Sequence, residues 1–296
     1  MKKQALDAVD LRMPLLHLTS RSPLAIGIGY IAGYVLLDWI SFVYPFGSFG
    51  ITPWNPQAGL SFALILLFGV RFLPWLVIAP LLADIVLRGL PVPVAAEIPI
   101  MAIIGLTYGA AAVFLLSPHV QFDVTLSSRR SLLWLIGVAI ASIALVSFGH
   151  VLVLWLLDLV EARDFFPATA RAFGGDLIGV MVFTPFLLIL FTRRRPPALS
   201  WEVAAAVAVT LIALWGVFGF ADAFRFQLFY VFFIPIVWIA VRFGLEGVTL
   251  GLVLTQIGLL AAMHISDQST SRSLRIWTPQ RVPLATQSSR STAPQA

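Results

Sequence analysis

Apolar residues along this chain come in long blocks, separated by short polar or basic loops, and they follow neither a period of two nor one of 3.6. Stretches such as 180–191 and 203–220 are almost wholly apolar and do not alternate. A helix that crosses a bilayer needs about 20 predominantly apolar residues. A transmembrane β-strand would instead alternate over about ten. The pattern therefore predicts helices over residues 22–45, 56–70, 72–88, 94–116, 131–157, 174–191, 202–220, 228–242 and 245–265. The second, third and eighth are short or carry proline. The fold class is all-α, a polytopic transmembrane helical bundle of about eight to nine helices. The predicted organisation is a cytoplasmic N-terminal segment (1–21), one integral membrane domain (22–265) and a polar tail (266–296). The tail is rich in Ser, Thr, Gln, Pro and Arg, a composition that predicts disorder.

Composition points the same way. Hydrophobic residues are 59% of the chain and charged residues 11%, against about 45–50% and about 25% in soluble domains. There is no cysteine, which excludes disulfides, thiolate metal sites and a cysteine nucleophile. The net charge of +5 raises the question of nucleic acid. The basic residues, however, sit in short loops at the ends of apolar blocks, and no basic stretch is interleaved with aromatics, so nucleic-acid binding is excluded. The first apolar block is longer and later than that of a cleaved signal peptide, and no small-residue cleavage site follows it, so it reads as a retained helix.

The loop charges orient the bundle. With the N-terminus inside, the inner loops hold Arg71, Arg129, Arg130, Arg193, Arg194, Arg195 and Arg242 besides the four basic residues of 1–21. The outer loops hold only Arg88, Arg163, Arg171 and Arg225. Basic residues favour the cytoplasmic side, so the N-terminus is expected to be cytoplasmic.

Ionisable residues at membrane depth are costly and are candidates for function. Here they are Asp38, Asp84, Glu97, His150 and Asp176. The alternating spans place all five in the outer half of the bilayer, level with Trp54, Asn55, Pro56 and Gln57. The expectation is one cavity lined by Asp38, Asp84 and Asp176, with Trp54 at its rim. Each also has a structural reading. Asp84 stands four residues before Arg88, the spacing of a helical ion pair. Asp176 follows Gly174-Gly175 near the expected start of a helix, where a carboxylate stabilises free N–H groups. His150 reads as a hydrogen-bonded packing residue, since one imidazole makes no metal site, and Glu97 as an interface residue. Asp38 has no basic residue within a turn. Gly105 and Gly109, four apart, suggest close helix packing. Pro80, Pro99, Pro185 and Pro235 predict kinks. No catalytic signature is present: no HExxH, no P-loop, no GxGxxG after a strand and no GxSxG. The reading is a non-enzyme, with no cofactor and no metal.

Three segments carry a resemblance. The first is Pro53-Trp54-Asn55-Pro56-Gln57-Ala58-Gly59, running on to Arg71. The second is Ala79-Pro80-Leu81-Leu82-Ala83-Asp84 with Arg88-Gly89-Leu90-Pro91. The third is Gly175-Asp176-Leu177-Ile178-Gly179 with Thr184-Pro185. Together they resemble the MASE-type (membrane-associated sensor, type one) integral membrane sensory domain of bacterial histidine kinases and diguanylate cyclases, over about residues 22–265. The resemblance implies a sensory module in the bacterial inner membrane that passes a conformational bias inward, with Trp54, Pro56, Gly59, Asp84, Gly175, Asp176 and Gly179 at matching positions. It implies an extracytoplasmic or membrane ligand but names none. In the family a last helix returns to the cytoplasm and continues into a kinase or cyclase. Here a polar tail stands in that place, so the expected partner is a separate histidine kinase or diguanylate cyclase chain. Two other readings stay open: a small cation- or proton-coupled transporter using Asp38, Asp84 and Asp176, and an accessory subunit of a larger membrane complex.

Overall fold

The computed structural model describes residues 22–42, 51–52, 54–90 and 92–192, some positions between 201 and 212, and the backbone of 233–277, with side chains from 236 to 258. The N-terminal segment 1–21, the loop with Arg193–Arg195, most of the expected span 202–220 and the tail beyond 277 lie outside the described residues. Among the described residues everything regular is helical, and Ile51 makes a lone bridge. The elements are α1 (Pro23–Ser41), α2 (Pro56–Phe68), α3 (Leu73–Ala83), α4 (Val94–Leu115), α5 (Arg129–Leu156), α6 (Phe165–Thr192) and α7 (Phe233–Trp277). Among the described residues six stretches are long and apolar enough to cross a bilayer.

The ends of these helices follow local chemistry. Ser22 accepts the Ala25 N–H at 3.2 Å and Pro23 opens α1, where its missing N–H costs nothing. Ser128 caps α5 by accepting the Ser131 N–H at 3.1 Å. Helix α3 carries Pro80 and then widens into a π-turn over Asp84–Arg88, ended by Gly89 in the left-handed region. A π-turn inside a helix is rare and is frequent at functional sites.

Helix α2 organises the bundle. Thirteen residues rise only about 20 Å, too short for a hydrocarbon core of about 30 Å. Ten of its residues are buried, from Pro56 to Leu66, so it is a central helix wrapped by the others rather than a lipid-facing one. Its strongest partner is α6, and the approach is close enough to need glycine on both sides. A Cβ on Gly179 would overlap the Asn55 carbonyl oxygen, and one on Gly59 would meet the Gly179 carbonyl and lie 2.7 Å from Phe183 Cβ. The Asn55 N–H donates to the Gly175 carbonyl at 3.1 Å, and the Thr184 hydroxyl donates to the Gly59 carbonyl at 3.0 Å. On the other side of α2, Phe62 meets the Tyr108 ring edge-on at 5.5 Å. Gly105 and Gly109 of α4 face Val77 and Leu73 of α3.

Two expectations are corrected. Helix α6 starts at Phe165, so Asp176 lies well inside it and does not stabilise a helix start. The sequence obscured this because Arg171 interrupts the apolar run. Second, the backbone stays helical to Trp277, past the expected end of the bundle at 265. Helix α7 is not one straight rod, as the separate spans 228–242 and 245–265 predict. Gly244 has φ 62° and ψ −151°, a conformation open to glycine alone. A Cβ on Gly251 would lie 3.0 Å from Ile239 Cδ1, although twelve residues of straight helix would separate the two by about 18 Å. The chain therefore folds back at Gly244. The apolar stretch Ile236–Gly258 is two antiparallel legs, broken where the sequence separates 228–242 from 245–265.

Candidate functional site

Helices α1, α3 and α5 end, and α2, α4 and α6 begin, toward the same face of the bundle. Their polar residues meet there around one cavity of about 90 Å³. Asp38 comes from α1, Asn55 and Gln57 from the start of α2, and Asp84 and Arg88 from the π-turn. Glu97 comes from α4, His150 from α5 and Asp176 from α6. Tyr34, Ser61 and Tyr108 also line it, with an apolar wall that includes Ile100, Met101 and Ile104.

Arg88 is the centre of the network. Its guanidinium bonds both Asp38 and Asp84, and its Cζ lies 4.9 Å from the Phe42 ring centroid. The side chain is only 9% exposed, and its Nε–H has no partner among the described residues. Asp38, 3% exposed, also accepts from Gln57 Nε2 at 2.9 Å. Gln57 Oε1 in turn accepts from the Ser41 hydroxyl at 3.3 Å. Asp176 accepts from Asn55 Nδ2 at 2.7 Å. The Thr52 hydroxyl donates to Asn55 Oδ1, which fixes the amide so that its NH₂ points at Asp176. Glu97 is 2% exposed and lines the same cavity as Asp84.

Of the eight residues singled out by sequence, six line this cavity: Asp38, Asn55, Asp84, Glu97, His150 and Asp176. Trp54 and Pro56 do not. Trp54 is buried against Phe183, ring centroids 6.0 Å apart, and against Val182 and Val253, so it is not at a rim. Its indole N–H finds no partner among the described residues. Pro56 opens α2 from inside the packing. Two readings of single residues change. Asp38 is paired, through a residue fifty positions away that charge counting assigned to an outer loop. Glu97 is a fully buried member of the cluster rather than an interface residue. The sequence reading missed Tyr34, Ser61 and Tyr108; it had Arg88 as the helical ion-pair partner of Asp84, which it is, but not as a residue of the cavity. Helical spacing could have found two of these, since Tyr34 stands four residues before Asp38 and Ser61 four after Gln57.

A second cavity, of about 270 Å³, lies among the opposite ends of the same helices. It is lined by the first turns of α1 (Ala25 to Tyr30), the second half of α2 (Leu60 to Phe68) and Leu187 and Phe191 of α6. Its one polar lining residue, Tyr30, is bonded to Ser61 at 2.7 Å, and Ser61 belongs to the wall of the polar cavity. The two spaces are thus separated by a satisfied hydrogen bond. Among the described residues no group of three or more His, Asp or Glu side chains has the arrangement of a metal site.

No curated protein and no solved structure matches the chain. The MASE1 family profile matches residues 24–275. This interval holds every element described above except the first residue of α1 and the last two of α7, and it includes all the residues that line the polar cavity. The segments that carry the resemblance meet in three dimensions: Asn55 to Gly59 docks on Gly175 to Thr184, and Asp84 and Arg88 line the same cavity as Asn55 and Asp176. The chain belongs to the MASE1 family of membrane-associated sensory domains.

Proposed function

We propose that this chain is a non-enzymatic sensory module of the bacterial inner membrane, crossing it eight or nine times. Its polar cavity opens toward the extracytoplasmic side, and its cytoplasmic loops pass the bound state to a separate histidine kinase or diguanylate cyclase chain. The observation that carries this reading is the asymmetry of the two cavities. Ionisable groups of five helices gather at one end, while the other end is apolar and sealed by the Tyr30–Ser61 bond. A transporter would need polar groups along the whole path, and the described residues supply them at one end only. A ligand biases such a bundle by its differential affinity for two states. The π-turn that carries Asp84 and Arg88 is an element with a second arrangement, the ordinary α-helical turn.

Single-cysteine labelling tests the orientation on a background free of native cysteine. In intact cells a cysteine at His119, in the loop after α4, is expected to resist an impermeant thiol reagent until the membrane is opened. A cysteine at Glu161, in the loop before α6, is expected to react at once. The reverse pattern would put the cavity on the cytoplasmic side and end the proposal.

The α4–α5 loop has a built structure suited to a contact surface. Asp123 accepts from the Thr125 N–H at 2.9 Å, the Thr125 hydroxyl at 2.6 Å, and the Ser127 N–H and hydroxyl. Partial burial raises its pKa, but the bonds from Ser127 and Thr125 together outweigh it and hold the carboxyl below its ordinary value. Because the folded value is depressed, the contribution is complete above the unfolded pKa and is lost as pH falls through the folded one. Amide exchange at Thr125 and Ser127 is therefore expected to be slow at neutral pH and to lose its protection only in acid. Protection unchanged at pH 2, relative to neighbouring amides, would show that the turn does not depend on the carboxylate.

A further inference from the structure

We propose that the apolar cavity at the other end of the bundle is a lipid site, which takes one acyl chain of an anionic phospholipid and holds its phosphate at Arg71. The wall of this cavity follows one face of α2. Leu60, Leu64 and Leu67, with Phe68 beside them, stand along it at helical spacing. From Leu60 to Phe68 the helix rises about 12 Å, close to half of a hydrocarbon core of about 30 Å. The space is therefore nearly as long as one leaflet is deep. At about 270 Å³ it exceeds the cavity of roughly 150 Å³ that accepts benzene in an engineered core. It has room for a stretch of acyl chain.

The mouth of the cavity opens on the outside of the bundle, where Ala25 and Gly29 of α1 and Phe191 of α6 are exposed. In a chain that crosses a bilayer, that surface faces hydrocarbon. A buried water needs about two to four polar partners, and the one hydroxyl in the wall, on Tyr30, is already bonded to Ser61 at 2.7 Å. Hydrocarbon is what remains to fill the space. Gly29 keeps it open. A Cβ there would meet nothing within 4 Å, whereas one on Gly27 would overlap the Trp75 ring. Glycine weakens a helix relative to alanine. At Gly27 close packing offsets that cost; at Gly29 nothing packs, and the missing side chain leaves room for a guest.

Arg71 selects the headgroup. Helix α2 ends at Phe68, and Arg71 stands in the 3₁₀ turn that follows, Val70–Phe72. The Phe68 ring, in the cavity wall, lies 5.5 Å from the Phe72 ring, and Arg71 Cζ lies 5.2 Å from that same Phe72 ring. The guanidinium is thus two ring contacts from the end of the cavity. It is exposed and makes no ion pair among the described residues. A basic side chain at the end of an apolar slot between helices suits an anionic headgroup, and a guanidinium matches the oxygens of a phosphate. In the orientation proposed above, the lipid belongs to the cytoplasmic leaflet.

The test is native mass spectrometry of the full-length protein, delipidated in detergent and titrated with dioleoyl phosphatidylglycerol or dioleoyl phosphatidylcholine. The expected result is one saturable phosphatidylglycerol adduct, with an affinity about fivefold above that of phosphatidylcholine, the contribution of one basic side chain near an anionic headgroup. Arg71→Gln is expected to bind both lipids alike, at the phosphatidylcholine level. Gly29→Leu and, independently, Ala25→Leu put a side chain into the cavity. Each should lose the adduct while its thermal midpoint stays at or above the wild-type value, and either decides the matter should the other fold poorly. Equal affinity of the wild type for the two lipids, an unchanged preference in Arg71→Gln, or undiminished binding in the cavity variants would each overturn the proposal. So would a wild type that binds no lipid while both cavity variants lose stability, the result expected if a second copy or another segment of this chain fills the space. The titration is blind to orientation, so its failure would leave the cysteine-labelling result and the sensory reading untouched.

Discussion

Gly179→Ala is expected to remove most of the folded protein. The added methyl group would meet the backbone carbonyl of Asn55, which cannot step aside without undoing the start of α2. Overpacking a core costs about 1–3 kcal/mol and occasionally more, and the upper end applies where the obstacle is backbone. Separating α2 from α6 would also break the Asn55–Gly175 and Thr184–Gly59 bonds and the Asn55–Asp176 contact that shapes the cavity. Gly174, five residues earlier on the same helix, has nothing within 4 Å of the same position. Gly174→Ala is expected to be neutral or stabilising by up to about 1 kcal/mol, the helix-propensity difference between the two residues. Thermal unfolding of both variants in detergent separates the cases. Equal midpoints would show that the α2–α6 seam tolerates a methyl group and that the glycine serves something other than close approach.

The contrast between these two glycines shows what was legible in the sequence. Helices α1, α4 and α5 were readable to within a few residues because the bilayer demands length and apolarity, and both are written locally. The six cavity-lining candidates were found for a related reason. An ionisable side chain stands out in an apolar block, and alternating spans put Asp38 and Asp84 at the same end as Glu97 and Asp176. What depends on contact between distant segments was not readable. Nothing local distinguishes Gly179 from Gly174, because the difference is the Asn55 carbonyl, more than a hundred residues away. Arg88 looked like a loop charge because a span's last residue and a loop's first are alike in sequence. Only the π-turn and the position of Asp38 turn it inward. Trp54 looked like a rim residue because tryptophan favours interfaces, whereas Val182 and Phe183 of α6 cover it. The fold at Gly244 was placed correctly, since an apolar run interrupted by Arg-Phe-Gly-Leu-Glu has no other place to turn.

Arg88→Met is expected to have the second large effect, of about 3–5 kcal/mol, the usual cost of leaving a buried charge without its partner. Methionine keeps an unbranched side chain but removes both the charge that Asp38 and Asp84 share and the guanidinium that lies over Phe42. Asp38 would keep only Gln57 as a donor, and Asp84 would lose its bond to the guanidinium. Arg88→Lys should recover part of the loss and not all of it. One guanidinium reaches two carboxylates through separate nitrogens of a planar fork, whereas an ammonium is a point charge that must choose between them. The decisive variant combines Asp38→Asn, Arg88→Met and Asp84→Asn, which removes all three charges while keeping volume. Buried ionic clusters replaced by neutral groups of similar shape are often no less stable, so the triple variant should unfold near the wild-type midpoint in denaturant. A triple variant as unstable as Arg88→Met alone would show that the arginine holds the bundle through its packing on Phe42 and not through charge. The ionic centre of the cavity would then be a consequence of the fold rather than a contributor to it.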